Sequence, residues 1–347
     1  MRIMGRRRGE LLEYLFGLVS MLADFVYEGG RSAIPAEIRD PVELGIISGT
    51  SEGLGYLLRA LSGVMADKLG AHYLFMFLGY SLVVAYPIAA LIPSLTTFLV
   101  AVVVERIGKA IRSPARDALV AANVEDPGKA FAIIEVMDQA GAVAGPLTLF
   151  LLSSYFGLRE SMVVFFIPYI IMILILLKLR NLKVVPRKKE VVWSAGSAVA
   201  FSFLIGASFV QPILSVASAP QPVLGYALVM LVDALASVLM GKFFRKLVYL
   251  APLLALSSLS LKDWRFLPLA GVAIAYTEVV VRAVIAEAGG EGRLYGLAYA
   301  ALGLGYFVGG LVMPSLSEAE LAVYSLALSG AALAFLPKRG ERLIPKL

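Results

Sequence analysis

The sequence predicts an all-α membrane protein: twelve transmembrane helices in two pseudo-symmetric six-helix bundles. Three observations carry this expectation. Mean hydropathy is +0.84, and 59% of the 347 residues are apolar while 16% are charged. An ordinary soluble domain is ~45–50% apolar and ~25% charged, so lipid has to solvate much of this chain. The apolar residues also fall in runs of about 20, the length of a bilayer-crossing helix. Finally, the two halves resemble each other. Gly128-Lys129-x-Phe131, followed by Gly141, Gly145, Pro146 and Leu147, returns as Gly292-Arg293-x-Tyr295, Gly305, Gly309, Gly310 and Leu311. Glu105-x-x-x-Lys109-Ala110-Ile111 returns as Glu278-x-x-x-Arg282-Ala283-Val284. Ala60-Leu61, Val64 and Lys68 return as Ala234-Leu235, Val238 and Lys242. A duplicated apolar chain points to a transporter with its site between the repeats.

The spans fall at about 11–35, 43–66, 72–92, 96–115, 129–153, 160–180, 191–215, 222–243, 246–261, 266–285, 293–314 and 320–337. Short Pro-, Gly- or Ser-containing loops separate them, such as Pro93-Ser94 and Asp126-Pro127-Gly128. The N-terminal apolar stretch runs on into Asp24 and Glu28, which suits a retained first span better than a cleaved signal. Arginines and lysines gather at both ends, at 178–189 and around Lys68 and Lys242. The positive-inside rule therefore predicts cytoplasmic termini and a multi-pass protein of the cytoplasmic membrane. Residues 1–181 form the expected N-terminal bundle, 182–190 a basic cytoplasmic linker and 191–347 the C-terminal bundle.

Several functions are excluded or disfavoured. With no cysteine there is no disulfide and no thiol chemistry. No cluster has metal-ligand spacing, and no Gly-x4-Gly-Lys-Ser/Thr loop offers ATP a seat. The sequence therefore calls for no cofactor. The +6 charge lies between apolar spans, so it marks membrane topology and not nucleic-acid binding.

Six spans, a basic linker and six more spans resemble the layout of the major facilitator superfamily. Gly63-x-x-x-Asp67-Lys68-x-Gly70 is similar to its cytoplasmic signature, with Ala71 and His72 where a basic pair is usual. Arg106 resembles its span-four arginine, with Ala110 replacing the usual glycine. Gly141-x-x-x-Gly145-Pro146 resembles the span-five motif of its antiporters. Asp24-x-x-x-Glu28, the stretch from Arg106 to Asp117 and Met137-Asp138-x-x-Gly141-Ala142 together resemble prokaryotic multidrug and metabolite exporters. The second half has Gly241 where the first has Asp67, so a gating acid there is not implied.

Ionised side chains inside a bilayer cost at least ~2.5–3.5 kcal/mol and so mark function or pairing. Asp24, Glu28 and Arg31 are spaced to share one face of span one. Asp24 lies roughly 20 Å from Leu11 along the helix, and Arg106 about 15 Å along span four. The resemblance implies that both spans border a cavity, where Asp24 is expected to pair with Arg106. Asp24 and Asp138, then Glu28, are the candidate proton-coupling groups; a fixed salt bridge is the plainer reading. Glu278 and Arg282 form an i,i+4 pair on span ten, able to meet a cationic substrate or to satisfy each other. Asp233 and Arg59 occupy matching repeat positions with opposite sign. Glu135 is placed to join Asp138, while Glu52 and Glu105 read as structural.

Arg112, Arg116 and Asp117 are expected at the cytoplasmic end of span four, gripping Asp67 and Lys68 as a surface cluster or gate, with Ser113-Pro114 bending the helix. Gly141, Gly145, Pro146, Gly305 and Gly309 read as close helix packing. Tyr27, Tyr56, Tyr80, Tyr169, Tyr276, Tyr299 and Phe307 are candidates for lining an apolar pocket. Trp193 and Trp264 read as interfacial anchors, and His72 as a solvated loop residue. The resulting expectation is a monomeric, proton-coupled exporter of a small organic molecule working by alternating access. Proton-coupled uptake is the first alternative; a membrane-embedded transferase or a non-transporting sensor is more remote.

Overall fold

A computed structural model describes residues 2–92, 94–124, 127–184, 195–281 and 292–336. Helices account for the architecture, and no strand occurs among these residues. They are α1 (Arg2–Ser32), α2 (Ile34–Glu37), α3 (Pro41–Leu69), α4 (His72–Leu91), α5 (Leu95–Asn123), α6 (Pro127–Phe156) and α7 (Glu160–Lys178). There follow α8 (Ala195–Ser208), α9 (Pro212–Ser215), α10 (Pro222–Leu247), α11 (Val248–Leu261), α12 (Trp264–Val281), α13 (Gly292–Val312) and α14 (Glu318–Ala332). Eight segments are long and apolar enough to cross a membrane. Three further long helices, α1, α3 and α5, carry internal charges, and α11 is short.

Helix limits depart from the sequence reading where local chemistry is strong. The first helix begins at Arg2, well before the apolar run, because arginines are good helix formers in water. The seventh span breaks at Phe209–Gln211, where Pro212 restarts the helix as α9. Ser94 and Ser317 start α5 and α14 with capping boxes closed by Thr97 and Glu320, satisfying N–H groups that would otherwise lack partners.

The described chain packs as two compact units, 1–33 with 62–186, and 34–61 with 187–347. Residues 34–61 thus pack with the second half of the sequence. In the first unit α1 lies against α6 and α7, and α4 against α5. In the second unit α8 lies against α13 and α14, and α10 against α12.

Glycines set the closest approaches. A Cβ at Gly141 would meet the Met21 carbonyl, and one at Gly145 the Phe25 carbonyl, so α6 touches the backbone of α1. In the second unit a Cβ at Gly305 would meet the Phe203 carbonyl, and one at Gly309 the Ala207 carbonyl of α8. The repeat seen in sequence is therefore also a repeat of packing, with small residues letting backbones meet. Gly45, Gly49 and Gly53 of α3 make the same kind of approach to Gly310, Phe307 and Gly303 of α13.

Candidate functional site

The charged residues of the first unit converge on Tyr27. Gly79 and Gly108 bring α4 and α5 together, each lying against the other's carbonyl. That approach seats Tyr80 of α4 beside Arg112 of α5, whose Cζ lies 4.9 Å from the Tyr80 ring centroid. Tyr27 of α1 is buried. Arg106 Cζ, Lys109 Nζ and Arg112 Cζ lie 5.5, 4.6 and 5.1 Å from its ring centroid. Lys109 Nζ also donates to the Tyr27 hydroxyl at 2.9 Å. A ring face attracts cations, each contact contributing about 0.5–2 kcal/mol as water is excluded.

Carboxylates accompany these cations. Arg106 Nε donates to Glu105 Oε2 at 2.7 Å, and Arg112 Nη1 lies 3.7 Å from Glu105 Oε1. The second contact is too long for a hydrogen bond, and both of its atoms are buried without one. Glu28 accepts from Arg31 Nη1 at 3.4 Å, one turn along α1. Asp24 is half-buried, and the charges acting on it are Asp138, Lys109, Glu28 and Arg112. Arg106 pairs with Glu105, its neighbour on α5, a contact the sequence reading did not include.

A second knot lies one turn further along α5. Arg116 Nη1 donates to Ser20 Oγ at 2.7 Å and to Asp138 Oδ2 at 3.4 Å, while its Nε donates to Asp117 Oδ1 at 2.9 Å. Ser20 also bonds Tyr80 Oη at 3.0 Å. Asp138 keeps a buried Oδ1 with no hydrogen bond. Asp138 and Arg116, placed in separate groups by the sequence reading, therefore form one network.

The expected grip on Asp67 is absent. Asp67 pairs with His72 Nε2 at 2.8 Å, and Lys68 is exposed. His72 is buried, not solvated, because it sits at the start of α4 with its ring turned back on the preceding loop. Glu105, read as structural, is the fully buried carboxylate that holds two arginines.

Pro114 lies inside an unbroken α5. Proline removes the N–H that would bond residue 110, and Ser62 Oγ donates to the Ala110 carbonyl at 2.7 Å instead. Gly63, next to Ser62, leaves room for the Pro114 ring.

In the second unit Tyr56 of α3 stacks 5.8 Å from Tyr299 and lies 5.8 Å from Tyr306, both of α13. Arg59 Cζ sits 4.4 Å over the Tyr56 ring. Glu278 lies on a π-helical turn, Tyr276–Val281, a geometry frequent at functional sites. Its expected partner Arg282 lies outside the described residues. Asp233 is buried and accepts from Ser237 Oγ at 3.2 Å.

Sequence reasoning gave no role to Lys109, Gly79 or Gly108. The signal was present: Arg106, Lys109, Arg112 and Arg116 recur at intervals of three and four, which places them along one helical face.

Eight helices long and apolar enough to cross a bilayer, with charges buried among them, mark a multi-pass membrane protein. The Major Facilitator Superfamily profile matches residues 15–277. The chain belongs to this superfamily. An uncharacterised protein of Mycobacterium tuberculosis is 38% identical over 141 residues, 39% of this chain and 34% of that protein. An uncharacterised MFS-type transporter of Methanocaldococcus jannaschii is 31% identical over 140 residues, 38% of this chain and 35% of that one. The matched region thus spans about a third of these relatives' length. A solved POT family transporter in complex with a thioalcohol-conjugated peptide superposes with a TM-score of 0.73 at 11% identity, over 93% of this chain and 94% of that one. At that identity the likeness is one of fold.

Proposed function

We propose that this chain is a proton-coupled secondary transporter of a small organic molecule in the cytoplasmic membrane, with both termini on the cytoplasmic side. It acts as a monomer, by alternating access. One observation supports the reading: Asp24, a half-buried carboxylate in a membrane helix, is acted on by the cations Lys109 and Arg112 and by the carboxylates Asp138 and Glu28. A nearby cation favours the ionised carboxylate and a nearby anion the protonated one. Any motion that changes those distances moves a proton on or off Asp24. Asp138, held by Arg116 on α6, is the second carboxylate of the relay.

The sense of coupling has two readings. Export by antiport follows from the resemblance of Gly141-x-x-x-Gly145-Pro146 to the antiporter motif. Uptake of a metabolite together with a proton is the alternative, separated from export by the direction of flux under an imposed pH gradient.

The test is Asp24→Asn in reconstituted vesicles. We expect pH-gradient-driven transport to be lost while gradient-free counterflow continues. Undiminished pH-driven transport in that variant would overturn Asp24 as the coupling group.

A further inference from the structure

The geometry points to Ser20 as a positioning residue for the proton on Asp138, its hydroxyl turning between Asp138 and Tyr80 as that carboxyl gains or loses its proton. The inference rests on the reading of Asp138 as a carboxylate of the relay and names the group that governs its hold on the proton.

Backbone contact brings the residues together. A Cβ at Gly17 would meet Met137 Sδ, and one at Gly141 the Met21 carbonyl. Asp138 therefore lies on α6 between two contacts with α1, and Ser20 lies on α1 between the same two. Arg116 Nη1 of α5 donates to both, to Ser20 Oγ at 2.7 Å and to Asp138 Oδ2 at 3.4 Å. Its Nε is anchored separately, on Asp117 at 2.9 Å. The Ser20 hydroxyl is within reach of the Asp138 carboxylate. On its other side Ser20 Oγ lies 3.0 Å from Tyr80 Oη of α4. Ser20 and Tyr80 are both buried, so their hydrogen bonds are made to protein groups.

Hydroxyl chemistry supplies the switch. A serine or tyrosine hydroxyl has one proton to give and two lone pairs. Arg116 gives in every state and occupies one lone pair of Ser20. When Asp138 is ionised, Ser20 gives its proton to the carboxylate and accepts from Tyr80. When Asp138 is protonated, the carboxyl gives to Ser20 and Ser20 gives to Tyr80. The same three groups are linked in both states, with the direction of the chain reversed. A charged acceptor roughly doubles the strength of a hydrogen bond, so Ser20 favours the ionised carboxylate on balance. Tyr80 has the opposite effect. Without its oxygen the Ser20 proton is buried with no acceptor once Asp138 is protonated, and a buried donor left unmade is costly.

Other charges act on Asp138: Arg116 and Lys109 from α5, Glu135 from α6 itself and Asp24 from α1. Ser20→Ala and Tyr80→Phe leave all four side chains in the protein, so the two variants read the hydroxyl chain.

The experiment is an infrared difference titration of the purified full-length protein between about pH 4 and pH 9. The protonated carboxyl band of Asp138 is identified by its loss in Asp138→Asn and its displacement in Asp138→Glu. Its midpoint is expected about half to one pH unit higher in Ser20→Ala than in the unaltered protein, and lower in Tyr80→Phe. A general loosening of packing admits water and moves both variants in the same direction. An unchanged midpoint in Ser20→Ala, shifts of one sign in the two variants, or no titrating band from Asp138 in the unaltered protein overturns the proposal. The pH profile of transport in vesicles separates it from the reading beneath. If the band moves as expected while the Ser20→Ala profile stays in place, Ser20 positions the proton and Asp138 is not part of the relay.

Discussion

Tyr27 is the residue on which the first unit's charges depend, because one ring carries three cationic contacts and one hydroxyl carries a fourth interaction. Tyr27→Phe keeps the ring and removes the bond from Lys109, a loss of about 1.5–3 kcal/mol for a hydrogen bond to a charged group. Tyr27→Leu removes the ring as well, leaving Arg106, Lys109 and Arg112 over an aliphatic surface. The leucine variant is expected to melt lower than the phenylalanine variant, by about a further 1–2 kcal/mol, in a thermal-unfolding series in detergent. Equal stability of the two would mean that the cation–ring contacts contribute nothing. Outside the membrane-spanning helices the carboxylates behave differently. Arg265 holds Asp263 below the usual carboxylate range. A depressed folded-state value gives stability that is present above the unfolded value, here 3.8, and lost as pH falls through the folded one. Asp263 therefore does not titrate between pH 5 and pH 8. Asp263→Asn is expected to leave the shape of the transport pH profile in that window unchanged, so the profile reports the interior carboxylates.

At the scale of helices, two devices fix where the charges go. The first is backbone contact at glycine. Gly141→Ala puts a methyl group against the Met21 carbonyl, with no flexible side chain to give way, whereas a Cβ at Gly330 meets nothing within 4 Å. Overpacking costs typically ~1–3 kcal/mol, while alanine in an open helical position gains roughly 0.5–1 kcal/mol over glycine. The two substitutions are thus expected to shift the melting temperature in opposite directions. The second device is the Ser62–Ala110–Pro114 arrangement, in which a hydroxyl replaces the amide that proline lacks. Ser62→Ala is expected to cost about 1 kcal/mol, and less in a Pro114→Ala background, where the backbone N–H returns. Additive losses in that double-mutant cycle would sink the explanation. These devices also show what the sequence could reveal. Gly141 and Gly305 stood out because the repeat displays them twice, in register with Gly145 and Gly309. Gly79 and Gly108 stood alone, and no periodicity within one helix says which neighbour it will touch. The α5 charges were legible as a face, yet the pairing of Arg106 with Glu105 depends on side-chain direction. His72 misled because a lone polar residue beside a loop glycine resembles solvated sequence, while its partner Asp67 lies five residues back.

For the whole molecule, the duplication and the charge distribution make different demands. The repeat supplies two similar helix sets, with α1 on α6 in one and α8 on α13 in the other, each joined through glycines. The charges are repeated only in part. Glu105 and Lys109 return as Glu278 and Arg282, but Val279 and Ile285 stand where Arg106 and Arg112 do. A transporter needs such asymmetry, since two identical electrostatic environments would give a substrate no orientation. The decisive consequence concerns flux. If substrate and proton load together, vesicles containing the protein should accumulate the substrate above equilibrium when the outside is acidic, compared with protein-free vesicles that correct for passive entry. Imposed acidity inside should drive the same substrate out through the protein. Substrate movement against the proton, with accumulation on the alkaline-outside gradient, would instead establish the antiport suggested by Gly141, Gly145 and Pro146. Asp24→Asn should abolish the dependence on the gradient, because it removes the group that carries the proton, while gradient-free counterflow of the substrate continues.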